Sequence, residues 1–169
     1  MVHSVELVFD SDTEDVIRGI WDGLAGAGVP SQAPASRPHA TMTVAQRIAP
    51  DVDALLTPVA AGLPIPCRIG AALVFGRSAA VLARLLVPSP AMLDVHADVY
   101  RLCLPYLSPG PVPHTQPGQW TPHVTLARRV APAQLAKALR IAGRPAELDG
   151  AIVGLRRWDG ITRREYPIG

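Results

Sequence analysis

The sequence predicts an α+β fold of two pseudo-symmetric lobes, each an antiparallel sheet with helices, set around a central cleft. Three observations predict it. Segments alternating with period two are interleaved with segments of helical, 3.6-residue periodicity. The order helix, strand bearing His-x-Thr, helix, hairpin occurs twice, the second round beginning near residue 88. The length, 169 residues with 49% hydrophobic, suits one domain or two small lobes sharing a cleft. Residues 1–169 are therefore read as a single bilobal domain with an internal duplication. Two copies of one unit commonly pack about a pseudo-two-fold axis, which sets equivalent strands on opposite walls of a shared groove.

The first strand, residues 2–9, puts Val5, Leu7 and Phe9 on one face, with His3 expected on the outer face. Ser11-Asp12-Thr13-Glu14 reads as a capping box opening a helix whose stripe is Val16, Ile17, Ile20, Trp21 and Leu24. Gly26 and Gly28 end it, and a Pro/Ser loop follows. Pro38 leads into a strand over residues 39–44, and Asp51 opens a short helix that Pro58 must kink or stop. Strands around 67–75 and 80–87 are joined by a tight turn at Gly76-Arg77. In the second round, Ser89 is an N-cap with Pro90 at the first helical position, and the helix runs to about Leu104. A loop rich in Pro and Gly spans 105–118, and Trp120-Thr121-Pro122 leads into a strand over 123–128. Pro132 starts a helix with Leu135, Leu139 and Ala142 inward; a hairpin over 147–158 turns at Asp159-Gly160 and ends near Tyr166.

On a strand, residues i and i+2 share a face, so His39 projects with Thr41 and His123 with Thr125. Ala40, Met42, Val124 and Leu126 then face the core. With five His and eight Thr, one His-x-Thr arises by chance in roughly a quarter of shuffled chains, so a single copy carries no weight. Two copies arise in only about 2–3%, and both here follow a proline at equivalent places in the repeat.

Composition narrows the function classes. Charged residues are 18% of the chain and the formal net charge is +2, so no acidic or basic tail offers a long electrostatic handle for DNA or a membrane. No apolar run reaches the length of a membrane span, and the first residues alternate around Glu6 as a secretory signal does not, so a cytoplasmic protein is expected. Cys67 and Cys103 match no metal or redox spacing and are expected as buried free thiols. Neither motif His has a carboxylate or Cys in ligand spacing, so no metal and no other cofactor is expected. A monomer is expected.

The two motifs as they stand, Pro38-His39-Ala40-Thr41-Met42-Thr43-Val44 and Pro122-His123-Val124-Thr125-Leu126-Ala127-Arg128, resemble those of the 2H phosphoesterase superfamily, in particular its 2′-5′ RNA ligase-like proteins, also described as RNA 2′,3′-cyclic phosphodiesterases. The second motif is very close to the family's form. The first keeps His and Thr but departs from the usual Leu-Ala-Phe continuation. The order of elements fits that superfamily's bilobal fold over essentially the whole chain.

The resemblance implies a metal-independent phosphodiesterase opening 2′,3′-cyclic phosphates of RNA ends or nucleotides, with His39 as general acid and His123 as general base, and reverse 2′-5′ ligation as a second activity. The chemistry is consistent with this. Water must attack phosphorus in line with the departing oxygen, which needs a base and an acid on opposite sides of the phosphate. Imidazoles, with an ordinary pKa near ~6.5, supply one neutral and one protonated group near neutrality. Thr41 and Thr125 would donate hydrogen bonds to the non-bridging oxygens. The implied partner is an RNA end or a small nucleotide with a cyclic or 2′-5′ phosphodiester. The rival of another class is a non-catalytic RNA-end or nucleotide-binding module on the same scaffold.

Four further residues are candidates for binding substrate. Arg128, at i+5 from His123, falls on the opposite strand face unless a bulge intervenes, but guanidinium suits phosphate. Trp120 and Tyr166 are candidates for stacking a base, with packing under the strands as the default use of each. His114 sits in the long loop, which is a candidate to close over substrate. His96, at helical spacing with Met92, Val99 and Cys103, is read as packing, and Arg156, Arg157, Arg163 and Arg164, which flank the last turn, as a solvated hairpin face by default, with contact to an RNA backbone as the alternative.

Overall fold

In the computed structural model, which describes residues 2–32, 36–76 and 79–169, the elements run β1 His3–Phe9, α1 Ser11–Gly26, β2 His39–Ala45, β3 Arg47–Ile48, α2 Val52–Ala60, β4 Ile65–Phe75, β5 Ala80–Leu86, α3 Pro90–Cys103, β6 Leu107–Ser108, β7 His123–Val130, α4 Leu135–Ala142, β8 Leu148–Asp159 and β9 Arg164–Ile168. The seven-stranded sheet has the order β1-β2-β7-β5-β4-β8-β9, antiparallel throughout, and β8 also pairs with β1. Six of its strands therefore close a ring. Twelve-residue β8 makes this possible by serving both sides: its first part pairs with β4 from Leu148 to Ile152, and its later part with β1 and β9.

Each lobe draws on both halves of the chain. The β4–β5 hairpin lies against β7, with α1 and α4 packed on that side; β8–β9 lies against β1, beside β2, with α2 and α3. Between the lobes, β2 and β7 share a single residue pair, Ala40 with Val124. From that point the two strands diverge and leave the cleft.

Local rules account for most boundaries. Of the predicted α1 stripe, Ile17, Ile20, Trp21 and Leu24 are buried and Val16 at its edge is half-buried, but the N-cap is Asp10, one residue before Ser11. Asp10 accepts from the Thr13 backbone N–H (3.2 Å) and hydroxyl (2.7 Å), and also from the backbone N–H of Ala151 on β8 (2.7 Å). A Ser at position 10 lacks the second carboxylate oxygen that makes this tie. The tie needs Gly150, where a Cβ would stand 2.0 Å from the Thr13 hydroxyl. Pro58 does not stop α2, which runs to Ala60; proline is accommodated because the helix is short and exposed there. Ser89 caps α3 through the Met92 N–H (3.2 Å). In the loop after α3, Leu107–Ser108 pairs with Arg47–Ile48. His3 is buried, contrary to expectation, because β1 is covered on both faces; its Nε2 lies 3.3 Å from Asp159. Arg77, half of the expected β4–β5 turn, lies outside the described residues.

Cys67 and Cys103 are buried and unpaired, and burial pushes both thiols up to about 12. No helix among the described residues is long and apolar enough to cross a membrane.

A bulge in β2 sets the site. Against β1, Val5 pairs with Thr43 and Glu6 with Thr41, so Met42 is the extra residue. Beyond it the alternation inverts: His39, Thr41 and Val44 are open to the cleft, while Thr43 turns inward, fully buried, its hydroxyl without a hydrogen-bond partner among the described residues. Thr43→Val is therefore expected to raise stability by about 1 kcal/mol in denaturant melts, since it removes an unmet buried hydroxyl and keeps the shape.

Candidate active site

The two motif histidines are held by the same local device. The His39 Nδ1 lies 2.7 Å from the Arg37 carbonyl, and the His123 Nδ1 lies 2.7 Å from the Thr121 carbonyl. In each case the partner is residue i−2 and a proline stands between, holding the preceding residue extended so that its carbonyl turns back on the ring. Nδ1–H donates to that carbonyl, which leaves Nε2 as the nitrogen free to exchange a proton.

The pairing of Ala40 with Val124 joins the strands at the middle residue of each motif. In antiparallel register His39 then lies across from Thr125 and Thr41 from His123, and all four project away from the face of buried Ala40 and Val124. Diagonal neighbours in such a ladder are roughly 7–8 Å apart, so the register sets the two imidazoles on either side of a gap of about the width of a phosphate group. The strands are pinned alike: the Trp120 indole N–H donates to the Thr41 carbonyl (2.9 Å) and the Trp21 indole N–H to the Thr125 carbonyl (3.2 Å). Thr125 is the more enclosed hydroxyl residue, 8% exposed, and Thr41 lies where the two arms of the cleft meet.

The electrostatic settings of the two rings differ. Nε2 of His39 is 3.6 Å from Oε1 of Glu6, which the β1–β2 and β1–β8 registers set between Thr41 and Arg156. Glu6 is 3% exposed and fixed by the Ser4 hydroxyl (2.5 Å) and by Arg156, whose Nε is 2.8 Å from Oε2. Arg156 also pairs with Glu165, and its Nη2 is 3.3 Å from Nδ1 of His39. Because that Nδ1 proton points at Arg37, Arg156 is a neighbour there and not a second donor. Sequence periodicity missed Glu6 and Arg156, since a strand's own pattern does not reveal which cross-strand charges meet beneath a third strand.

His123 sits instead against the Phe75 ring, with centroids 4.8 Å apart, and near Arg128. Burial pushes it below the ordinary imidazole range; the Thr121 hydrogen bond opposes this, and the charges of Arg128 and His39 add to it. Arg128 reaches the cleft because β7 also bulges: Ala83 pairs with Thr125 and Leu82 with Ala127, making Leu126 the extra residue and inverting the alternation. The alternation predicted from sequence alone put Arg128 on the far face, and the bulge reverses it.

The cleft has two unlike arms. One, about 1070 Å³, lies beside His39 and Thr41 and is lined largely by charged residues; the other, about 460 Å³, lies beside His123 and includes Phe75, Pro113 and Trp120. Trp120 has one face stacked on His96 at 3.9 Å between centroids. His114, exposed at φ 68°, lines the smaller arm. Tyr166 does not reach the cleft, in correction of the expectation: Glu165 points into it, so the next residue on β9 faces the other way, and the Tyr166 ring packs under the Arg157 guanidinium at 4.4 Å. Among the described residues no three His, Cys, Asp or Glu side chains cluster as a metal site.

His96 is 1% exposed, as its helical spacing predicts, with Nε2 2.9 Å from the Thr115 carbonyl and 3.3 Å from that of Met42. It ties the 109–122 loop to β2. Burial pushes its pKa down against those two hydrogen bonds. A lowered folded-state pKa, here in both His96 and His123, means the unfolded chain takes up protons first, so the stability present above pH ~6.5 is lost as pH falls through the folded values. The melting temperature is expected to drop between pH 7.5 and 5, with the drop smaller in His96→Gln.

A family model described as 2′-5′ RNA ligase superfamily matches residues 12–161. Among solved structures the chain is similar to TT0787 of Thermus thermophilus, at 15% identity and TM-score 0.63 over 100% of this chain and 96% of that one. It is also similar to Escherichia coli LigT complexed with 3′-AMP, at 11% and 0.58 over 99% and 94%. Kluyveromyces marxianus Usb1 with uridine monophosphate aligns at 12% and 0.54 over 99% and 97%. At these identities the likeness is one of fold. No curated protein matches the chain in sequence.

Proposed function

The chain belongs to the 2′-5′ RNA ligase superfamily, and from that premise we propose that it is a metal-independent phosphodiesterase opening 2′,3′-cyclic phosphates of RNA ends or nucleotides by acid–base catalysis at His39 and His123. The observation that carries this reading is the pairing of Ala40 with Val124, which brings the two His-x-Thr strands together at their motifs.

The charges around each ring support this division of roles. An ion pair with Glu6 forms only with protonated His39, which suits a general acid. Burial and Arg128 favour neutral His123, which suits a general base. In the proposed step Nε2 of His123 takes a proton from water, the water oxygen bonds to phosphorus, and the bond from phosphorus to the 3′ oxygen breaks. That oxygen receives the proton of His39, and the product is a 2′-phosphomonoester. Thr41 and Thr125 donate to the non-bridging oxygens, and the arm holding Phe75 and Trp120 takes the nucleobase. With a ribose 5′-hydroxyl in place of water as the nucleophile, the same displacement forms a 2′-5′ linkage and frees the 3′-hydroxyl, and its reverse, attack of that 3′-hydroxyl on the 2′-5′ linkage, re-forms the cyclic phosphate.

The test is a panel of substrates in the presence of chelator: a nucleoside 2′,3′-cyclic phosphate, an RNA ending in one, a 2′-5′ dinucleotide and the cyclic phosphate of ADP-ribose. Phosphorus NMR locates the product phosphate. Opening to a 2′-phosphate, unaffected by chelator, is expected; no turnover of any member, or its loss with chelator, contradicts the reading.

A further inference from the structure

The larger arm of the cleft is more cationic than one phosphate requires. Among the described residues, five arginines and three glutamates line it, a surplus equal to the formal net charge of the whole chain, +2. The carboxylates are taken: Glu14 by Arg37 at 2.6 Å, and Glu6 and Glu165 both by Arg156. Arg128 and Arg163 line the same arm with no ion pair to any described residue.

Each is put there by a built irregularity of the backbone, one from each lobe. Arg128 reaches the arm through the β7 bulge, beside Arg129 at φ 58°. Arg163 is itself held at φ 56°, the left-handed region that a residue with a side chain enters only when its surroundings compel it. The compulsion is visible: Asp159 accepts from the N–H groups of Ile161 (2.8 Å) and Thr162 (3.0 Å), and Gly160 sits so close to the first strand that a Cβ would stand 2.1 Å from the Val2 carbonyl oxygen. Two exposed guanidiniums, one from each lobe, thus line one cavity together with His39, the arrangement an anion clamp requires, and bidentate guanidinium geometry suits a phosphate.

Building on the function proposed above, we infer that Arg128 and Arg163 form a second phosphate subsite, so that the preferred substrates carry a phosphoryl group in addition to the scissile one. That group is either the neighbouring internucleotide phosphate of an RNA end or the 5′-phosphate of a single nucleotide. A bare nucleoside 2′,3′-cyclic monophosphate fills the reactive centre and leaves the clamp empty.

Binding tests this without turnover. Dissociation constants are measured by calorimetry for adenosine 2′-phosphate, adenosine 2′,5′-bisphosphate and a dinucleotide ending in a 2′-phosphate, with the wild-type chain, Arg163→Gln and Arg128→Gln. At least one of the two doubly phosphorylated ligands is expected to bind about tenfold or more tightly than the monophosphate, and which of them does so identifies the source of the second phosphate. The advantage is expected to shrink toward unity in Arg163→Gln, whose exposed turn position keeps it clear of folding effects. Equal affinities for all three ligands, or an advantage kept in both variants, overturn the subsite. Failure of every cyclic substrate to turn over removes the catalytic reading and leaves these affinity ratios to decide the subsite by themselves.

Discussion

Replacing either His39 or His123 with alanine is expected to lower turnover of a 2′,3′-cyclic phosphate by about 10²–10⁴-fold while leaving the fold intact. The magnitude follows from what each ring supplies. Water attacking phosphorus must shed a proton, and the departing ribose oxygen must gain one; without a positioned imidazole each transfer falls to bulk solvent. The fold should tolerate the loss because both rings stand on the cleft face of their strands, half-buried, with the core contacts of β2 and β7 made by Ala40, Met42, Val124 and Leu126. Circular dichroism and melting curves separate a chemical loss from an unfolded chain. A double variant should lose less than the product of the two single losses, because the rings serve one displacement. Retention of near-normal turnover in either single variant contradicts the scheme.

The second large effect is on stability. Arg84, on β5, is 2% exposed and has no carboxylate partner among the described residues, yet its guanidinium makes four hydrogen bonds to backbone. It donates to the carbonyls of Gly70, Ile69 (3.4 Å), Ala142 (2.8 Å) and Ala146 (2.8 Å). Ala142 is the last residue of α4, so the charge also meets the negative end of that helix. One side chain thus joins β4, β5, α4 and the turn into β8. Burial pushes its pKa down from the usual arginine value, but a guanidinium stays charged in proteins. Two effects compete in Arg84→Met: relief of a desolvated charge, and orphaning of four carbonyls in the interior. With an unmet buried polar group costing about 1–3 kcal/mol, the second prevails, and a net loss of about 2–4 kcal/mol is expected. In a chain of this size that corresponds to a melting temperature roughly 5–15 °C lower. An unchanged melting temperature would mean that water replaces the guanidinium.

What the sequence made legible and what it hid divide along physical lines. The His-x-Thr strands were readable because a period of two is local: His39 with Thr41 and His123 with Thr125 needed only neighbouring residues. The helices were readable from their stripes, and α3 from Ser89-Pro90. Arg128 was not, because its side depends on a bulge at Leu126 that shows only against the partner strand. Thr43 and Val44 exchanged faces for the same reason at Met42. Glu6 and Arg156, the charges behind His39, come from strands 150 residues apart, and only the closing of β8 onto β1 makes them neighbours. Likewise, repeat order gave no account of which hairpin pairs with which motif strand; β4–β5 crosses to β7, and β8–β9 returns to β1. Tyr166 failed as a candidate through strand parity alone, since the neighbouring Glu165 took the cleft face.

The Pro-His element carried a signal that sequence reading left unused. In both motifs the residue two before His, with proline between, offers its carbonyl to Nδ1, so that hydrogen bond fixes which ring nitrogen is left free.

The central claim, that two differently charged imidazoles divide the proton transfers at one phosphorus, is tested most directly by the pH dependence of kcat/KM for a nucleoside 2′,3′-cyclic phosphate in the parent, His39→Ala and His123→Ala. A bell is expected for the parent, its acid limb below the ordinary imidazole pKa because of the burial of His123. Residual activity in His123→Ala should lose the acid limb and that in His39→Ala the alkaline limb. The same bell in all three proteins would contradict the account.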